Sequence, residues 1–207
     1  PAGFRIAGLP RRRQPPARSG LSPTHALLEA AHVRVCDALE TLLATRPYVL
    51  GDRFTLADAA LYGQLGMNLS DPRTARAMQT RCPGLHQWLL ALHSGTPRTV
   101  GEGALRIDTA LMPLLAEIAR IHLPLMQQNA AAHVRLKQRG QRHFNERAFN
   151  AGEALYDGTL DGQTYRSVAK SFQARSWRDC QARWVALPPA VQQQLATLMP
   201  DTSSFSA

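Results

Sequence analysis

The sequence predicts an all-α fold, and three kinds of observation predict it. Apolar residues recur at helical spacing in separate segments, residues that start and stop helices bracket those segments, and no βαβ pattern precedes Ser22. Residues 1–20 carry five arginines, no acid and no helical period, and read as a basic, proline-rich lead-in or linker. Ser22-Pro23 then offers an N-cap and a first-turn proline for a helix running to about Thr45. Its expected buried stripe is Leu28, Val35 and Leu42, with Ala31 and Leu39 between them. Arg46-Pro47 ends it, because the residue before a proline avoids helical backbone.

A second helix is expected from Thr55 to about Leu69, stopping before Asp71-Pro72. Thr55 and Asp58 stand at capping-box spacing, so each side chain can satisfy the other's backbone N–H. Phe54 and Ala59 occupy the staple positions on either side of the cap. A third helix is expected over Leu85 to His93 between Pro83 and Gly95, with Trp88, Leu89 and Leu92 inward. Gly95 to Gly103 reads as a linker. A long helical pattern follows from Ala104 to Gln138, with Leu111, Leu114, Ile118, Ile121 and Leu125 inward, which Pro113 and Pro124 should kink or divide. Asp157-Gly158 and Asp161-Gly162 are turn signals compatible with a small hairpin. From Ser167 the spacing of Trp177, Cys180 and Trp184 indicates another helix, closed by Pro188-Pro189, and a last short helix covers Ala190 to Leu198.

Composition narrows the function classes. The 207 residues are 44% hydrophobic, which suits a globular chain with a real core. The longest apolar stretch, Leu111 to Met126, is broken by Glu117, Arg120 and His122, so a bilayer span is not expected. The basic N-terminus has no apolar segment of signal-peptide type, and the opening Pro suggests a fragment or processed product. The net charge of +9 is uneven: residues 21–129 hold nine basic and nine acidic residues, whereas 130–185 hold ten and five. The expected core is thus electrically neutral, and the bias to arginine, with only Lys137 and Lys170 as lysines, reads as a GC-rich coding habit rather than selection for phosphate contacts, so nucleic acid is not the expected partner. Cys36, Cys82 and Cys180 form no C-x-x-C pair, and they read as reduced thiols in a cytoplasmic protein.

Several side chains invite a chemical reading beside a structural one. Thr55 and Asp58 fit capping better than catalysis. His25, His32 and Cys36 share a helical face and could offer a soft metal three ligands, but no fourth is spaced nearby, and ordinary core or surface positions suit them better. Tyr48 and Tyr62 flank the capped helix and are the substrate-pocket candidates; half-buried structural tyrosines are the alternative. Phe144, Asn145, Glu146, Arg147 and Phe149 read either as a ligand or partner contact on a loop, or as packing plus a helix cap. Arg166, Lys170, Arg175, Arg178 and Arg183 read as the solvated face of the Trp177/Trp184 helix.

The run Arg46-Pro47-Tyr48-Val49-Leu50-Gly51-Asp52-Arg53-Phe54-Thr55-Leu56-Ala57-Asp58-Ala59-Ala60-Leu61-Tyr62 resembles the central signature of glutathione S-transferase C-terminal domains. Pro83-Gly84-Leu85-His86-Gln87-Trp88-Leu89 is similar to that family's next helix. Residues 104–207, through Phe144-Asn145-Glu146 and Gly152-Glu153-Ala154-Leu155-Tyr156-Asp157-Gly158, resemble a C-terminal extension of some bacterial transferase-like proteins. The resemblance implies a helical bundle of the transferase C-terminal type over residues 21–96, with a helical extension over 97–207. It also implies a thioredoxin-like N-terminal domain upstream that binds glutathione, with these helices lining the acceptor-substrate pocket, and a possible homodimer.

In that family the thiol-activating Ser, Tyr or Cys and a Glu/Asp-Ser pair belong to the first domain. No Glu-Ser or Asp-Ser dipeptide occurs here, so no catalytic residue is assigned. No metal or cofactor is expected in this chain, glutathione entering as co-substrate only with the N-terminal domain. The alternative is a non-catalytic interaction domain; nucleic-acid binding through the basic segments is a more distant third.

Overall fold

The computed structural model describes residues 25–96 and 103–205. The expected lead-in 1–20, the Ser22-Pro23 helix start and most of the Gly95–Gly103 linker lie outside the described residues. The chain is predominantly helical, and the strands among the described residues form one two-stranded hairpin. Two compact units are present. One comprises residues 35–96 and 103–111; the other comprises residues 25–34 and 112–205, so the division falls inside the first helix.

The first unit holds the end of α1 (His25–Leu43), then α2 (Leu56–Leu65), α3 (Pro72–Arg81) and α4 (Pro83–His93). Leu39, Leu42, Val49, Leu85, Trp88 and Leu89 are buried. Helix α3 is not among the helices expected from the sequence. Asp71 is its N-cap, accepting the Arg73 N–H at 2.9 Å, with Pro72 at the first helical position. The pair that reads as a helix stop is therefore also a helix start. Residues 104–106 correct a second expectation. They are extended rather than helical, because the Asp52 N–H donates to the Ala104 carbonyl (3.0 Å) and the Arg106 N–H to the Leu50 carbonyl (2.8 Å).

In the second unit, α5 (Met112–Glu117) leads through one π-turn at Ile118–His122 into α6 (Leu123–Gln138). The expected break at Pro124 becomes this wider turn. Pro124 has no N–H to donate and sits in the first turn of α6, where none is needed, while the Leu123 N–H reaches back to the Ile118 carbonyl. With its preceding 3₁₀ turn the run Thr109–Gln138 is, by length and composition, long and apolar enough to cross a bilayer. Part of its apolar side has other partners: Leu123 and Met126 pack with Trp177 and Phe205, and its Glu117 is buried in a bidentate pair with Arg34 at 2.7 and 2.8 Å.

After α7 (Glu146–Ala151), strands β1 (Leu155–Leu160) and β2 (Gln163–Val168) pair antiparallel, with Leu160 opposite Gln163. Asp161 (φ 49°) and Gly162 (φ 74°) form the two-residue turn, whose left-handed backbone matches strand twist. Asp157-Gly158 is not a turn; both residues lie in β1 opposite Arg166 and Tyr165. Gly158 has no side chain to obstruct Gln128, whose amide pairs with both backbone groups of Thr159 at 2.8 Å. Because Ser167 and Val168 belong to β2, α8 (Ser171–Val185) starts later than expected, and α9 (Pro189–Leu198) follows.

Two further corrections concern burial. Leu28 is 56% exposed, and Leu27 is the buried neighbour, packed with Ala132, Tyr156, Leu160 and Tyr165. The covering residues come from more than a hundred positions away, so a local heptad count selects the wrong side of the turn. Cys180 is exposed, while Trp177 is buried beneath Phe205.

Candidate functional site

The site that the sequence singles out is the loop from Arg46 to the start of α2, and one carboxylate organises it. Asp58 is fully buried. Its Oδ1 accepts the Val49 N–H at 2.8 Å; its Oδ2 accepts the Thr55 N–H at 2.8 Å and the Thr55 hydroxyl at 2.7 Å. Thr55 is extended (φ −130°, ψ 173°), as an N-cap must be, and the reciprocal capping box is formed. Three donors on one carboxylate compensate its removal from water. The bond to Val49 goes beyond a cap, since it ties the whole loop to the first turn of α2.

The rest of the loop is fastened from three sides. The Trp88 indole N–H donates to the Pro47 carbonyl at 2.9 Å. Arg46 is also buried; its Nη2 donates to both carboxylate oxygens of Asp108, at 2.7 and 2.9 Å, and its Nη1 to the Arg106 carbonyl at 3.3 Å. That pairing holds the Asp108 carboxyl below the usual carboxylate range, chiefly through the hydrogen bond from Arg46. Gly51 (φ 118°) lies against the Ala104 carbonyl, where a side chain would collide. Nearby, Glu40 of α1 caps α4 by accepting the Gly84 and Leu85 N–H groups at 2.9 and 2.7 Å. Glu40, Arg46 and Asp108 were not singled out by the sequence. The available signal was indirect: α4 begins Cys82-Pro83, without a capping side chain of its own, so its donors need an acceptor from elsewhere.

The two pocket candidates have different surroundings. Tyr48 is 1% exposed, exchanges backbone hydrogen bonds with Gly51 at 3.1 Å and meets the Phe54 ring edge-on at 5.5 Å. It is a core residue. Tyr62, on α2, is half-buried, and its hydroxyl lies 2.8 Å from Nδ1 of His93 at the end of α4. Tyr62 can therefore present a phenol, and His93 is the partner that sequence reasoning did not supply. Leu56 is 85% exposed at the entry to α2, and Phe54, Leu105 and Ile107 are exposed as well.

The thiols are not activated. Burial pushes Cys36 up to about 11, and burial and the neighbouring Asp37 raise Cys82; Cys180, although exposed, is raised by partial desolvation that outweighs the charge of Arg183. A thiol kept protonated in this way is a poor nucleophile. No cluster of three His, Cys, Asp or Glu side chains suited to a metal occurs among the described residues. The His25 side chain lies outside the described set. In the Phe144–Phe149 group, Asn145 is the N-cap of α7, accepting the Ala148 N–H at 3.2 Å, and Phe144 packs on His133 with ring centroids 4.3 Å apart.

Residues 24–91 match the family model described as glutathione S-transferase, C-terminal domain. The match, with the helices described above, makes this segment similar to a transferase C-terminal helical domain. The match takes in α1 to α4 and the Asp58-anchored loop, and it ends before the extended segment that carries Leu105. Comparisons with curated proteins and with solved structures found no match.

Proposed function

We propose that the transferase-like domain is the acceptor-substrate and scaffold half of a glutathione-dependent enzyme. In this reading a thioredoxin-like domain upstream binds glutathione and activates its thiol, and the full-length protein transfers that thiol to small electrophiles. The observation that carries the proposal is the family match, centred on a loop whose buried Asp58 gives it one defined conformation. Two features support the division of labour. Burial raises the Cys36 and Cys82 thiols above their ordinary range, and a helical bundle can wall an apolar cavity without cradling the two carboxylates of the tripeptide. Tyr62, steadied by His93, is the hydroxyl available to orient an acceptor.

The test has two arms. The present chain passed over immobilised glutathione should not be retained. Supplied with its upstream domain, it should conjugate glutathione to 1-chloro-2,4-dinitrobenzene, and Tyr62→Phe should raise KM several-fold with little change in kcat. Retention of the present chain that free glutathione competes away would overturn the proposal. So would a longer protein that folds but neither binds glutathione nor turns over an electrophile.

A further inference from the structure

Four of the ten basic residues of 130–185, namely Lys137, Lys170, Arg175 and Arg178, lie on α6 and around the start of α8. Asn129 of α6 holds both backbone groups of Lys170, at 2.8 and 3.0 Å, and His133 lies one turn further on, its Nε2 3.2 Å from the Ser171 hydroxyl. These contacts bring Lys137 of α6 to the same end as Lys170, Phe172, Arg175 and Arg178. After burial itself, the charges of Lys137 and Arg178 hold the His133 imidazole below its ordinary value, so both cations lie within electrostatic reach of that ring. Lys137, Lys170, Arg175 and Arg178 are all exposed. Among the described residues, none of the four lies within ion-pair distance of a carboxylate, whereas Arg34 and Arg120 share Glu117 and Arg166 is held by Asp157. Asp179 is the one acid on α8.

An aromatic ring stands among these cations. Phe172 is 70% exposed, and the Arg175 guanidinium sits 5.8 Å from its centroid. The other exposed large apolar residue of α8 is Val185, thirteen positions away and so about 20 Å along the helix. A membrane surface would need a continuous apolar stripe, and this face has none. An acidic peptide would match the cations but has no use for an uncovered ring. Phosphates spaced along a strand, with unpaired bases between them, match both. Trp177 is on the buried side of α8, and the ring left outside is Phe172.

We infer that this α6–α8 face binds single-stranded nucleic acid, with phosphates on Lys137, Lys170, Arg175 and Arg178 and a base stacked on Phe172. The test uses the whole chain and a fluorescent oligothymidylate of roughly 12 nucleotides, read by anisotropy. Affinity should fall with salt at a log–log slope of about −3, as four contacts to a single strand require. Phe172→Ala should weaken binding about tenfold. Lys170→Glu with Arg178→Glu should abolish it at 100 mM salt while circular dichroism stays unchanged. The inference fails if nothing binds at low salt, or if an abasic strand binds as tightly as oligothymidylate. It fails equally if the charge-reversed variant binds normally, which would place the contact on the arginine-rich residues 1–20. Polyglutamate or anionic vesicles binding as well as the strand would show charge attraction without nucleic-acid recognition, and would overturn it too.

Discussion

The entries to α2 and α8 face the same problem. Each brings an extended segment into a helix through backbone that is shielded from water, so its N–H and C=O groups need partners. At α2 the unmet groups are all donors, from Val49 and Thr55, and a carboxylate, which only accepts, meets them. At α8 the unmet groups are one donor and one acceptor, both of Lys170, and an amide meets them because it can do both. Asp58 and Asn129 are each fully buried, and neither can take the other's place. The choice of acid or amide follows from the polarity of the backbone it serves.

Exchanging the two chemistries should break the pattern. Asp58→Asn turns an amide hydrogen toward a donor and strands at least one buried N–H, costing about 3 kcal/mol; a shift in the urea midpoint corresponding to less than 1 kcal/mol would remove Asp58 as the organiser of its loop. Asn129→Asp sets a carboxylate oxygen against the Lys170 carbonyl, with a loss of about 2 kcal/mol at pH 7. Part of that loss should return by pH 4, where a protonated carboxyl can donate; urea titrations at the two pH values check it, and an equal loss at both would deny the donor role. Trp88→Phe removes the bond to Pro47 and leaves part of the buried indole's space unfilled, and should cost about 2 kcal/mol by thermal melting.

The smallest effect concerns acid sensitivity, and carboxylates of both units share in it, Asp157 and Asp201 of the second being held low as well. In the first unit Asp37 and Asp108 are held below the ordinary carboxylate range by their hydrogen bonds to Arg81 and Arg46. A carboxyl whose folded value is depressed contributes its full stability above about pH 3.9, and that contribution fades as pH falls through the lower folded value. Asp108→Asn should therefore lower the melting temperature slightly at pH 7 and flatten its fall between pH 4 and pH 2. An acid limb of unchanged slope would show that the Arg46 pair contributes nothing through ionisation.

What could be read from the chain depended on how far apart the partners lie. Thr55 and Asp58 are three positions apart and their geometry is local, so the cap could be named from spacing; Asp161-Gly162 carries its turn in two residues. Glu40 reaches Gly84 across 44 positions and Asn129 reaches Lys170 across 41, and no periodicity connects such residues. Between these extremes are features whose signal was present but read one way only. Asp71-Pro72 ends one helix and begins another, and residues 104–106 look helical until Leu50 and Asp52 supply backbone partners. Tyr48 and Tyr62 look equivalent in the chain, yet Tyr48 is buried, whereas Tyr62 is half-buried with its hydroxyl beside a histidine 31 residues away.

The wide turn at Ile118–His122 accommodates one residue more than an α-helical turn would in the same stretch. Removing a single residue there would close the spiral and rotate everything after it by about 100° around the axis. Gln128 and Asn129 would swing away from Thr159 and Lys170 together, so the hairpin and the start of α8 would lose their anchors in one step. The phase of α6, and with it the placement of half the second unit, thus depends on the length of five residues that touch neither anchor.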